Sequence, residues 1–363
     1  MTKLEEAREI INSTDSQIAH LFEQRMEACR MVAEYKKEHG LPIKDPAREA
    51  ALIEKCKGYI SDGEIESYYV EFQKKAIELS CKLQSVAIEG MNVAFCGVEG
   101  AYAYIAAKRL FPEAKLIACK SFQEAYHSVE DGAADCAVLP MENSYAGEVG
   151  TVMDLLFSGN LYVNQIYDLP IRHNLMVNKG TTPDKITKVI SHPQALDQCT
   201  NYILRHKYET EPCSNTAVAA KRVKESGEPG LAAIASDETA KIFDLEIIES
   251  GINDRPNNTT RFGAFSRAQN FPAPGSKRGN ETFILVFTVQ NRAGALAQTL
   301  NIIGAHGYNM RNLRSRPMKD LQWSYFFYIE AEGNVNNENG RDMMRELSAI
   351  CARLKLVGAF VNE

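Results

Sequence analysis

The sequence predicts a chain of three unlike blocks. Residues 1–90 read as all helix, residues 91–268 as an α/β block with mostly parallel sheet, and residues 281–363 as an α+β block of ferredoxin-like order, after a linker at 269–280. Three observations carry this. No proline precedes Pro42, and apolar residues recur at helical spacing. From Met91 onward, short apolar runs alternate with helical stretches, the mark of a parallel sheet flanked by helices. After "NFPAPGSKRGN", rich in proline, glycine and charge, the order is strand, helix, strand, strand, helix, strand.

In the first block Ile10, Ile11, Ile18, Leu21, Phe22, Met26, Cys29 and Val32 mark one helix of roughly 35 residues, long for a globular domain. Gly40 is its expected stop. Asp45 and Pro46 start a second helix, aspartate as cap and proline in the first turn, which runs to Lys57. A third covers Glu64 to Ile88. In the second block "MNVAFCGVEGAYAYIAAKRLF", "DCAVLPMENS", "KVISHPQALDQCTNYIL" and "GLAAIASDETA" each read as a buried strand, a loop and the start of a helix. In the third, "ETFILVFTV", "YNMRNLRSRP", "QWSYFFYIEAEG" and "KLVGAFVNE" are strands; "AGALAQTLNIIGAHG" and "ENGRDMMRELSAICARL" are helices.

Bulk properties exclude several classes. A chain of 363 residues with 45% hydrophobic and 24% charged residues is ordinary for a globular protein of two or three domains. The net charge of -6 argues against a general nucleic-acid binder. Nine dispersed cysteines without a CxxC pair point to reduced thiols and no zinc site. No leader pattern opens the chain, and no apolar run approaches the ~18 residues of a membrane span. A cytoplasmic protein without membrane or nucleic-acid partners is expected. The Gly97–Gly100 loop lacks the full glycine pattern of a dinucleotide site, so no cofactor or metal is expected either.

Charge placement is more specific. On the first helix Arg25 and Lys36 share a face about 16 Å apart and can converge on a small anion. Arg8 stands about 42 Å from Lys36 and about 100° off the face of Arg25, so it cannot serve the same site from the same straight helix. It is a plain surface residue, or a second copy of the chain supplies it. Asp45, Arg48 and Glu49 follow the break, and Ser80 and Gln84 stand one turn apart on the third helix. A long amphipathic helix with a solvated charged face accounts for the charges alone.

In the α/β block "GVEGAYAY", "LPMENSYAGEVGT", "SHPQALDQC", "NTAVAA" and "NNTTRF" fall at the strand-end loops where open α/β sheets bind ligands. Hydroxyls, amides and helix N-termini there suit an anion. Glu142, Asn143, Ser144, Thr151, Ser191, His192 and Gln194 are candidates to line such a site. Ser144 also reads as a cap and His192, before Pro193, as structural. Thr260 and Arg261 open the strand "TTRFGAFS"; a turn with Arg261 in solvent is the plainer alternative.

The ordered set Arg8, Arg25, Lys36, Asp45, Arg48, Glu49, Ser80, Gln84 resembles the all-α AroQ-type chorismate mutase domain, an intertwined dimer. That resemblance implies that Arg8 of a second chain, Arg25 and Arg48 hold the two carboxylates of chorismate. It further implies that Lys36 and Gln84 donate to the ether oxygen, while Asp45, Glu49 and Ser80 orient the ring hydroxyl and its neighbours. The second block resembles prephenate dehydratase, two α/β subdomains hinged like a type II periplasmic binding protein, with Thr-Arg-Phe at the cleft. The implied roles are a hydrogen bond from Thr260 to the departing hydroxyl, or orientation only, with Arg261 securing the site. The third block resembles the ACT regulatory domain, in which Gly294, Ala295 and Leu296 and the run Arg314-Ser315-Arg316-Pro317 line a phenylalanine pocket between two chains; here Arg314 stands where that family carries glutamate. Together they resemble the bifunctional chorismate mutase/prephenate dehydratase family: chorismate to prephenate to phenylpyruvate, in a homodimer or dimer of dimers, with L-phenylalanine as effector. A non-catalytic metabolite sensor built on the same two C-terminal folds is the alternative, for which the cationic helical set has no use. A mutase joined to a dehydrogenase fails for want of a nucleotide loop.

Overall fold

A computed structural model describes residues 2–269, 281–318 and 325–361, so the expected linker at 269–280 lies outside it except for Gln269. The chain folds as two compact units, Met1–Met91 and Asn92–Glu363.

The first unit is three helices, α1 (Lys3–His39), α2 (Pro46–Lys57) and α3 (Glu66–Glu89). Thr2 and Glu5 form a capping box at the start of α1, and Gly40 ends it in the left-handed region at φ 62°. Asp45 caps α2 by accepting from the Arg48 amide at 3.0 Å, with Pro46 in the first turn. Both α1 and α2 pack on α3. Yet Ala33 is the single buried residue of α1. Ile10, Ile11 and Leu21, read from the sequence as apolar positions at helical spacing, are 63%, 57% and 61% exposed. The helical period is right, but among the described residues that stripe stays exposed.

The second unit begins with β1 (Asn92–Cys96), α4 (Tyr102–Leu110), β2 (Lys115–Cys119), α5 (Phe122–Glu130), β3 (Cys136–Asn143), β4 (Gly147–Glu148), α6 (Gly150–Ser158) and β5 (Tyr162–Pro170). The chain crosses at Ile171–His173 into a second lobe: β6 (Asn174–Val177), β7 (Lys188–Ser191), α7 (Pro193–Asp197), α8 (Thr200–His206), β8 (Glu209–Pro212), α9 (Thr216–Ser226), β9 (Leu231–Ala235), α10 (Asp237–Ile242) and β10 (Glu246–Ser250). It returns through 251–258 to β11 (Thr259–Ser266) in the first lobe. Parallel pairing holds for β2-β1-β3 and for β9-β7-β8. The returning β11 runs antiparallel between β3 and β5, and β6 and β10 are antiparallel in the second sheet. Both sheets are therefore more mixed than the expected one, because the two crossings between lobes reverse the chain.

The last block supplies β12 (Glu281–Thr288), α11 (Ala295–Ala305), β13 (Asn309–Pro317), β14 (Tyr325–Glu332), α12 (Glu338–Ile350) and β15 (Arg353–Val361), the expected order. It is not a separate body. β15 pairs with β5 at Gly358–Val163, joining the two into one ten-stranded sheet. A side chain at Gly358 would stand 2.2 Å from the Val163 carbonyl oxygen, so glycine sets that approach. The continuous apolar run of β12 shows why: Phe283, Leu285 and Phe287 pack with Ile303, Met343 and Leu347 of α11 and α12, while Ile284 and Val286 enter the first lobe's core beside Met141 and Val152. A strand covered on both faces reads as an unbroken apolar run. Phe157 of α6 stacks on Phe326 of β14 at 4.5 Å between ring centres. Among the described residues no helix is long and apolar enough to cross a membrane.

Candidate active sites

In the helical unit, packing of α1 on α3 joins the predicted polar residues in pairs. Arg25 Nη1 donates to the Ala76 carbonyl at 3.0 Å and to the Ser80 hydroxyl. Lys36 Nζ donates to Gln84 Oε1 at 3.0 Å and to the Ile43 carbonyl at 2.5 Å. Ser80 and Gln84 are buried polar side chains, so these bonds hold groups that would otherwise be costly to bury. Lys36, Asp45 and Arg48 line one hollow of about 590 Å³ with Tyr35 and Lys44. Glu49 lines a neighbouring hollow of about 600 Å³ and meets the Cys81 thiol at 3.7 Å. Arg8, exposed near the far end of the unbroken helix, joins neither.

The second unit holds a cavity of about 660 Å³ between its lobes. Of the predicted residues, Asn143, His192, Gln194 and Thr260 line it. The Asn143 carboxamide anchors the wall: its oxygen accepts from the Tyr145 and Ala146 amides at 3.0 and 2.9 Å, and its nitrogen donates to Thr260 Oγ1 at 2.9 Å. His192 caps α7, accepting from the Gln194 amide, and burial holds its imidazole pKa below the usual value. Besides α7, two longer helices place N-terminal residues in the lining: α4, without a side-chain cap, and α9, capped by Asn215. Unpaired N–H groups and the dipole there favour an anion. Lys120 is the one lysine or arginine among the described lining residues.

Several expectations are corrected. Ser191 is fully buried and gives its hydroxyl to the Ile234 carbonyl, tying β7 to β9. Ser144 pins the chain at residues 257–259 through Thr259 N and Asn257 O, and neither it nor Thr151 is among the lining residues. Arg261 and Glu142 face away from the cavity. Side chains alternate across a strand, so the paired residues Thr260 and Asn143 face the cavity, while the next pair, Arg261 and Glu142, face the last block. Arg261 grips Asp168 through Nε and Nη2 at 3.0 and 3.3 Å and Glu330 of β14 at 3.2 Å. These bonds, with Asp168 foremost, hold the guanidinium well above its usual pKa. Burial lifts the Glu330 carboxyl, and Arg261 offsets that only in part.

Arg314, expected at an effector pocket, instead bonds Glu142 and lies 3.7 Å from Glu148. Arg316 binds Glu148 and Asp154, the latter at 3.0 Å. Exposed Ser315 sits between them in β13, which Pro317 ends. Gly294 takes the left-handed conformation at φ 80° before α11, with Ala295 buried and Leu296 packed into the helix-side core.

Sequence reasoning missed Tyr102, His173, Gln198, Asn215 and Thr216, all of which line the cavity. Four of the five stand inside the strand-end motifs "GVEGAYAY", "SHPQALDQC" and "NTAVAA", and that position was the available signal. His173 had none: it is a single histidine at a chain crossing, buried to 2% exposure by partners from elsewhere.

Residues 93–270 match the prephenate dehydratase family, residues 7–85 chorismate mutase type II, and residues 283–342 the ACT domain. The chain is similar to the bifunctional chorismate mutase/prephenate dehydratase of Enterobacter agglomerans, 29% identical over 98% of this chain and 95% of that one. It is similar to arogenate dehydratase/prephenate dehydratase 2, chloroplastic, of Arabidopsis thaliana, 32% identical over 74% of this chain and 72% of that one. Among solved structures it resembles prephenate dehydratase from Arthrobacter aurescens in complex with L-Phe, with TM-score 0.68 and 27% identity over 75% of this chain and 90% of that one.

Proposed function

The chain belongs to the prephenate dehydratase family, in the bifunctional form that also carries a type II chorismate mutase and an ACT domain, and from this we propose which residues perform each step. It rearranges chorismate to prephenate and converts prephenate to phenylpyruvate with loss of water and carbon dioxide. We assign the mutase to residues 1–90, the dehydratase to 91–268, the linker to 269–280 and the ACT domain to 281–363.

The first step is an intramolecular rearrangement of a dicarboxylate, with no nucleophile and no proton transfer. The protein need only hold the folded conformer and stabilise charge on the ether oxygen. Arg25 and Arg48 suit the carboxylates by bidentate geometry. Lys36 and Gln84, bonded to each other, are the donors at the ether oxygen. Asp45, Glu49 and Ser80 orient the ring hydroxyl and its surroundings. Arg8 comes from a second chain, and the exposed stripe of Ile10, Ile11 and Leu21 is the face that chain covers. We therefore read the enzyme as a homodimer or a dimer of dimers.

In the second step the ring loses its hydroxyl and a carboxylate together. The carboxylate leaves as carbon dioxide, its electron pair completes the aromatic ring, and the hydroxyl departs as water after taking up a proton. Thr260 donates a hydrogen bond to that hydroxyl in a cavity walled by Phe122, Ile171 and Phe262. The N-termini of α4 and α9, with Lys120, His192 and Gln194, receive the carboxylates. The observation that carries this reading is the Asn143–Thr260 bond at the cavity wall. Thr260→Ala is expected to lower phenylpyruvate formation by about a hundredfold or more while chorismate consumption continues unchanged. Equal loss of both rates would defeat the assignment.

We further propose feedback by L-phenylalanine at the last block, near Gly294, Ala295 and Leu296. The solved relative that holds L-Phe and the ACT match support it. Arg314 and Arg316 are engaged within the chain and form its inner anchor instead. Phenylalanine titrated against the dehydratase rate should inhibit; no response up to about millimolar, the upper range for such effectors, would end the reading. The nine free cysteines fit a reducing cytoplasm.

A further inference from the structure

We propose that His173 and Asn258 are positioning residues of the dehydratase centre, members of a polarised set of hydrogen bonds that converges on Gln198 Oε1 and leaves the Thr260 hydroxyl free to donate into the cavity. The inference rests on the assignment of Thr260 above. It starts from two backbone groups whose polarity is not in question. The amides of Tyr145 and Ala146 both donate to one end of the Asn143 carboxamide, at 3.0 and 2.9 Å, so that end is oxygen. The other end is the nitrogen, whose two nearest acceptors are Asn258 Oδ1 at 2.8 Å and Thr260 Oγ1 at 2.9 Å, with the Thr259 carbonyl further off at 3.2 Å. Asn258 must then present its own nitrogen to Gln198, which it does at 2.8 Å, and Gln198 accepts with Oε1. The same Oε1 faces His173 Nε2 at 2.8 Å, so the imidazole hydrogen lies on Nε2. Nδ1 is left as the acceptor, 3.1 Å from the Tyr102 hydroxyl, whose single hydrogen also faces the Arg172 carbonyl at 3.0 Å.

All four members are nearly closed to solvent: His173 is 2% exposed, Gln198 and Asn258 4%, Asn143 6%. Reversing a single amide in such a chain would set like atoms against each other without water to repair it, at a cost no single bond recovers. The chain also spans the lobes. Asn143 belongs to the first, Gln198 to the second, and His173 and Asn258 stand in the two crossings between them. Its consequence for chemistry is at Thr260. Oγ1 accepts from Asn143, and among the described residues none accepts the hydroxyl hydrogen, which is left for whatever occupies the cavity. A hydroxyl held this way is a fixed donor, set before substrate arrives, as stabilisation of a leaving oxygen requires.

The test reads the tautomer of His173 in the full-length enzyme. Ring ¹⁵N labelling and long-range proton–nitrogen correlation distinguish Nε2–H from Nδ1–H, and the spectrum of His173→Gln identifies the signal. The expected result is Nε2–H in the unliganded enzyme; Nδ1–H overturns the chain as described, and this reading needs no altered protein to fold. Asn258→Asp then replaces the amide that donates to Gln198 beside His173 by an acceptor. Gln198 is expected to turn its amide, His173 to shift its hydrogen to Nδ1, and the dehydratase kcat to fall about 10- to 100-fold with KM changed far less. The mutase rate should not move. Loss of rate with the tautomer unchanged, or a fall in KM and kcat that His173→Gln reproduces equally, would mean packing alone. Should Thr260→Ala retain full turnover, the Thr260 assignment fails, while the tautomer still reports whether the chain is polarised.

Discussion

Arg261 and Thr260 are neighbours in sequence and stand on opposite faces of one strand. The sequence places both beside the chemistry, because "TTRF" reads as a unit. The period of a strand forbids that, and the same period parts Glu142 from Asn143. Parity was legible in principle; the partner of the outward face was not, since Glu330 is about 70 residues further along. Arg261 therefore acts as a tether. In Arg261→Gln the Glu330 side chain, 6% exposed, loses its cation. Loss of roughly 2 kcal/mol in unfolding of the second unit is expected, less than a fully buried pair would cost because Arg261 is 32% exposed. The pH dependence fixes the mechanism. Burial already raises Glu330 above its ordinary 4.5, and removing Arg261 raises it further. A carboxyl with a raised folded pKa binds its proton more tightly in the folded state. The stability it contributes is present below 4.5 and is lost as pH rises through the raised value. Urea unfolding should thus show a larger gap between wild type and variant at pH 7 than at pH 5; a gap independent of pH would contradict the tether.

At the scale of elements, ends were legible and partners were not. Gly40, Asp45 and Pro46 mark their helix boundaries through local chemistry, which sequence carries. The apolar run "ETFILVFT" announces a strand covered on both faces, yet only the fold shows that one cover is the dehydratase lobe. The charge at position 314 follows from that contact. Arg314 reaches Glu142 and Glu148 across the seam, with Arg316 beside it on Glu148 and Asp154. A glutamate at 314 would instead gather three carboxylates. Arg314→Glu is expected to destabilise the second unit by about 1–2 kcal/mol more than Arg314→Ala, since it adds repulsion to the lost pair. Adding Glu142→Gln should return part of the difference, and raising salt should narrow it. Equal effects of glutamate and alanine, at low and high salt alike, would show that this seam does not depend on charge.

For the whole molecule the decisive length is that of α1. Its 37 residues run without a break, so Arg8 is held about 42 Å from Lys36 along one axis. The sequence already stated that separation. What it did not state is that the apolar stripe near Arg8 would be bare in a single chain, with Leu4, Ile10 and Leu21 each about 60% exposed. A bare stripe and an unreachable arginine both fit the proposed dimer, with a second copy lying along the helix. Mixing two inactive variants tests this. On the proposed assignment Lys36→Ala removes the ether-oxygen donor of its own site, and Arg8→Ala removes the arginine lent to the other site. Each homodimer should lose most mutase turnover. In a mixed dimer, the site that keeps Lys36 receives Arg8 from the Lys36→Ala chain and is intact, whereas the other site lacks both. Random exchange makes about half the dimers mixed, each with one working site, so about a quarter of wild-type mutase activity should return after unfolding and refolding the variants together. If Arg8 served its own chain, neither site of a mixed dimer would be whole and no activity would return. The dehydratase rate, measured in the same mixture, should stay constant throughout and so reports that the chains refolded.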